Sequence, residues 1–84
     1  SLAKALWGYL SDKLSISASQ LTLDNVSDRL KAYGLSETDT DHVIDVLNQC
    51  EMARFTPTHS EAEIAGLYDE AAAAIRNIED VRKR

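Results

Sequence analysis

The chain has one cysteine, one proline, one tryptophan and three glycines among its 84 residues. A single cysteine excludes an internal disulfide, and so a disulfide-stapled fold, and fits a reducing compartment. With so few glycines and prolines, long segments run without a breaker, which favours helices over many short strands. No apolar run approaches the ~18–20 residues of a membrane span, and no signal-peptide pattern is present. Positive charge is also scarce: nine Lys and Arg against 14 Asp and Glu give a formal net charge of −5 and a pI near 4.8. An acidic chain repels phosphate backbones, which excludes nucleic acid as the expected partner.

What is present is enough apolar material to fold: hydrophobic residues make up 44% of the sequence, too many for intrinsic disorder. The length allows one domain with a small core. The pattern predicts an all-α fold, a compact bundle of four helices at about 2–14, 23–33, 37–54 and 61–80. In the first, Leu6, Leu10 and Leu14 recur every four residues with Ala3, Ala5 and Trp7 alongside, the period of one buried helical face. Gly8 within it is expected to let a neighbouring helix approach. Ile16 and Leu21 are read as apolar plugs in the linker that follows.

Thr22 is the expected N-cap of the second helix, whose core face would be Leu23, Val26, Leu30 and Tyr33. Gly34 sits where a helix end needs a left-handed residue, with Leu35 folding back after it. Ser36 opens the third helix, and Glu37, Asp39 and Asp41 place negative charge near the positive end of its dipole. Val43, Val46, Leu47, Cys50 and Ala53 or Arg54 follow the 3-4 spacing of its apolar face. Arg54 and then Thr56-Pro57 are expected to end it. Ser60 and Glu63 make a capping box for the fourth helix. Its stripe is Ile64, Leu67, Tyr68, Ala71, Ile75 and Ile78, and the small residues Ala71 to Ala74 would let another helix pack close.

No catalytic, cofactor-binding or metal-binding residue is assigned. Starting a calcium loop at Asp39 puts Ile44 where glycine is required and Cys50 where glutamate is required. Cys50, His42 and His59 lack the local pairing of a zinc site. Cys50 and His42 stand eight residues apart, too far to meet on one helix as nucleophile and base. Cys50 is therefore read as a core residue, His42 as solvated in the first turn and His59 as a loop residue. The Asn25-Val26-Ser27 triplet falls inside a helix, and Asp69-Glu70 and Glu79-Asp80 are read as a solvated face. Arg82-Lys83-Arg84 is read as a frayed terminal tail. Trp7 and Tyr68 are expected in the core, whereas Tyr9 and Tyr33 stay open. Tyr9, Tyr33, Glu37, Asp39 and Asp41 are the candidate partner-contact residues.

Serines at helix starts, Ser36 and Ser60, are followed by glutamate, so the Asp-Ser-Leu attachment triplet of an acyl carrier protein is absent. A different likeness covers residues from about Ala5 to Ile78. Tyr9-Leu10-Ser11-Asp12-Lys13-Leu14, Leu21-Thr22, Gly34, Cys50-Glu51-Met52-Ala53-Arg54-Phe55 before Pro57, and Leu67-Tyr68 together resemble the C-terminal domain of the BatD oxygen tolerance family, named for aerotolerance in Bacteroides. These are fold-shaping residues and mark no active site.

The resemblance implies a cytoplasmic domain of a bacterial membrane-anchored protein, following a transmembrane helix that lies outside this chain, at the cytoplasmic face of the inner membrane. It implies von Willebrand factor A-type Bat proteins and a MoxR-type AAA+ ATPase as partners. The chain, which begins at Ser1, is accordingly expected to be a single helical domain, residues 1–84, excised from a longer protein. Its expected role is a non-enzymatic protein-interaction module. The alternative is a small-molecule or carrier-type helical domain with a groove lined by Trp7, Tyr33 and Tyr68.

Overall fold

In the first helix, α1 (Leu2–Leu14), the 3-4 spacing of apolar residues turns Ala3, Leu6 and Leu10 into the core, while Ala5 is exposed and Leu14 half-buried. The computed structural model describes residues 2–55 and 60–81, at positions 54 and 55 through the backbone. The helix ends at Ser15, whose φ of 55° is left-handed. The Ile16 N–H donates to the Ser11 carbonyl at 3.1 Å and the Ser15 N–H to Asp12 at 3.3 Å, while the Ser11 hydroxyl donates to the Ile16 carbonyl. That is a Schellman-type end built on serine rather than glycine. Gly8 does not serve a close helix approach as expected: a Cβ there meets nothing within 4 Å.

A 3-10 turn at Ala18–Gln20 leads to the buried Leu21. Thr22 then caps α2 (Leu23–Tyr33) more fully than expected. Its hydroxyl accepts the Asn25 N–H at 3.3 Å, and the Asn25 side chain accepts the Thr22 N–H at 3.0 Å. Leu21 and Val26, both buried, occupy the two positions of a hydrophobic staple around this cap. Leu23, expected in the core, is instead 38% exposed. Leu21, on the other side of the cap, fills the core where Leu23 was expected. At the far end Gly34 has φ 117°, its N–H reaches the Leu30 and Lys31 carbonyls, and the Leu35 N–H donates to Leu30 at 3.1 Å. Leu35 is buried beneath this turn.

The third helix, α3 (Glu37–Phe55), starts with the Ser36 hydroxyl accepting the Asp39 N–H at 3.1 Å. It is the central helix and packs against α1, α2 and α4 (Glu61–Val81). Thr40, Val43, Val46, Leu47 and Cys50 are buried along it. Thr40 extends the apolar row one turn earlier than the hydrophobic pattern indicates. At the start of α4 the Ser60 hydroxyl accepts the Glu63 N–H at 3.2 Å.

The buried row of α4 is Ala71, Ala74 and Ile78, with Leu67 half-buried. Alanines on this row let α4 close tightly on its neighbour. Ile64 and Tyr68 are exposed rather than in the core. Tyr68 stands one residue off the row formed by positions 67, 71, 74 and 78, a rotation of about 100° from Leu67, whereas Ile64 continues that row, seven residues before Ala71, in the first turn of α4.

Among the described residues the chain is an all-α bundle of four helices with no strand. The Cα radius of gyration of 12.6 Å lies close to the roughly 12 Å of a compact chain this long. The expected roles of Arg54, Thr56-Pro57, His59 and Arg82-Lys83-Arg84 lie outside the described residues.

Candidate functional site

The five residues singled out from sequence fall into two environments. Tyr9 and Tyr33 are half-buried and pack against the core. The Tyr9 hydroxyl donates to Glu79 at 2.7 Å, and the Lys13 ammonium binds the same carboxylate at 2.9 Å while lying 5.8 Å from the Tyr9 ring centre. Burial, then the Glu79 hydrogen bond and charge, raise the ionisation of the Tyr9 phenol above its ordinary range. Tyr33 is close enough to add to that shift, and its own hydroxyl is buried with no hydrogen-bond partner among the described residues. Glu37 and Asp41 are exposed in the opening turns of α3 and Asp39 is half-exposed. Residues two apart on a helix face different sides, so Asp39 turns away from the other two.

Carboxylates read as a solvated face are engaged. Glu79 clamps α1 to α4 through Tyr9 and Lys13. Glu70 lies 2.6 Å from His42 Nε2 and joins α4 to α3, so His42 is likewise held rather than simply solvated. The Trp7 indole N–H donates to Glu51 at 2.9 Å, tying α1 to α3. These partners lie 28 to 70 residues apart in sequence, beyond the reach of helical periodicity.

The Cys50 thiol is 2% exposed, and burial, followed by the neighbouring Glu51 charge, pushes its ionisation up. A thiol so placed is a poor nucleophile. Among the described residues no group of three His, Cys, Asp or Glu side chains could hold a metal ion. No helix among them is long and apolar enough to cross a membrane.

The feature with functional content is a surface that the sequence reading did not isolate. The C-terminal half of α3 and the N-terminal half of α4 flank a groove of about 460 Å³, lined by Gln49, Met52, Ala53, Glu63, Ile64, Gly66, Leu67 and Glu70. Across Ile64 and Leu67 a smaller hollow of about 170 Å³ continues to Leu2, Ala3 and Tyr68. Met52 is 68%, Tyr68 56% and Ile64 43% exposed. These large apolar side chains thus meet water on one continuous face, an arrangement typical of interaction surfaces. A signal existed in the width of the α4 stripe: positions 68 and 75 stand beside the row 64, 67, 71, 74 and 78, broader than one neighbour covers.

Of the three aromatics proposed for one groove, Tyr68 lines this hollow. Tyr33 lines a separate polar groove with Lys13, Ser15 and Arg29, and Trp7 lines neither. No family model matches the chain, and neither a curated protein nor a solved structure matches it.

Proposed function

We propose that this chain is a non-enzymatic protein-interaction module that docks its partner on the apolar α3–α4 face. The observation that carries the reading is the exposure of Met52, Ile64 and Tyr68 together on the α3–α4 face, whereas the other large aliphatic side chains among the described residues, Leu23 excepted, are buried or half-buried. Leaving such side chains in water costs about 1.5–3 kcal/mol each relative to burial, which a partner covering the face recovers in part. The helices around the groove are tied to one another: α3 to α1 and α4 through Glu51 and Glu70, and α1 to α4 through Glu79.

The likeness of Tyr9 to Leu14 and of Cys50 to Phe55 to the BatD C-terminal domain supports placing the module at the cytoplasmic face of a bacterial inner membrane, carried by a parent membrane helix. It supports the von Willebrand factor A-type Bat proteins and the MoxR-type AAA+ ATPase as partners in oxygen tolerance. Isothermal calorimetry of the chain with each purified protein, with and without nucleotide, tests this. Binding to one of them that Met52→Glu or Tyr68→Glu weakens by at least about tenfold, roughly 1.4 kcal/mol, is expected. Absence of binding to both, or binding indifferent to both substitutions, would count against the proposal.

A further inference from the structure

The geometry points to a basic amphipathic helix as the occupant of the α3–α4 groove, an inference that rests on reading this face as a docking surface. Its floor is apolar and its rim is acidic. Glu63 and Glu70 both line the groove, and seven residues apart they stand on the same side of α4, two turns from one another. Ile64 and Leu67 lie between them in the lining, with Met52 and Ala53 facing from α3. Among the described side chains no lysine or arginine lines it. Across residues 43–70 the sequence holds Arg54 alone against Asp45, Glu51, Glu61, Glu63, Asp69 and Glu70.

An incoming helix with apolar residues at i, i+3 or i+4 and i+7 would lay them on this floor and set flanking cations against the two glutamates, the spacing of a helix-in-groove contact. Methionine adapts its shape to such a guest. A second copy of this chain would bring a like-charged face and be repelled, and a phosphate-bearing surface is repelled for the same reason.

Gly66 adds an independent mark. It stands inside α4, where glycine weakens a helix, and a Cβ there would meet nothing within 4 Å. Nothing in the described fold requires its missing side chain. Yet it lines the groove, where a bare backbone lets a guest helix approach closely.

The test uses three helix-stabilised synthetic peptides of about 14 residues with leucine at the spacing above and lysine, glutamine or glutamate flanking it. Each is titrated into the isotope-labelled chain and followed by amide chemical shifts. The lysine peptide is expected to move the amides of Met52, Ile64, Gly66 and Leu67 and to bind roughly tenfold tighter than the glutamine peptide. That advantage should shrink with added salt and in the Glu63→Gln/Glu70→Gln variant, which keeps hydrogen-bonding side chains at both positions. Gly66→Ala should melt higher yet bind the lysine peptide more weakly, a pairing that a merely structural glycine would not give. Equal affinity for the glutamine peptide at the same amides would overturn the charge inference and leave the docking surface standing. Shifts scattered outside the groove, no shifts with any peptide, or groove shifts on diluting the chain alone would overturn it as well.

Discussion

Thr40 is buried in α3 with a hydroxyl that finds no hydrogen-bond partner among the described residues. An unsatisfied buried hydroxyl costs about 1–3 kcal/mol, whereas an apolar group of the same shape costs nothing of that kind. Thr40→Val is therefore expected to stabilise the chain by about 1 kcal/mol, read as a rise of roughly 4–8 °C in melting temperature. A fall on substitution would mean that the hydroxyl has a partner. Tyr9 sets a second residue-scale expectation. Its phenol ionises above the ordinary value of about 10 because it is buried and hydrogen-bonded to Glu79.

Above about pH 10 the unfolded chain has released a proton that the folded chain still holds, so this contribution to stability is full below that pH and is lost as pH rises. Melting temperature should fall on the alkaline side, and Tyr9→Phe should flatten the fall; parallel profiles would contradict the assignment. Cys50 and Gly34 have structural roles that their sequence positions indicated. Glu79, Glu70 and His42 do not, because each finds its partner on a helix distant in sequence.

At the scale of the element, helix ends decide the fold, and two glycines separate the reasons for having one. Gly34 holds φ 117° and a Cβ added there would stand 3.0 Å from Val81 Cγ1. Gly8 lies in the open interior of α1 with no neighbour within 4 Å. Alanine should therefore act with opposite sign at the two sites. Gly34→Ala is expected to destabilise by about 1–2 kcal/mol or more through left-handed strain and the Val81 contact. Gly8→Ala is expected to stabilise by up to about 1 kcal/mol through helix propensity. Urea denaturation midpoints measure both, and equal effects would refute the distinction.

Helix boundaries were legible because caps and stops are local chemistry: Thr22, Gly34, Ser36 and Ser60 each act within a few residues. Ser15 was not legible, since nothing near it requires a serine to take the left-handed turn that glycine favours. The orientation of α4 was half legible. Its apolar stripe is too broad for one face, and periodicity alone does not say which edge, Tyr68 and Ile75 or Leu67 and Ala74, goes inward.

For the whole molecule, a chain of net charge −5 leaves Met52, Ile64 and Tyr68 exposed beside one another on the α3–α4 face. The acidic character was plain in the sequence, but its convergence with Met52, Ile64 and Tyr68 required the packing of α3 on α4. Sequence reasoning pointed instead to Tyr9, Tyr33 and the acidic start of α3, where charge is dense but the tyrosines lean into the core. The decisive measurement is an amide-by-amide titration of the isotope-labelled chain with the ATPase or the von Willebrand factor A-type protein. Contiguous changes across residues 49–53 and 63–70 are expected. Changes centred on Tyr33, Glu37, Asp39 and Asp41, with the α3–α4 groove silent, would contradict the docking face.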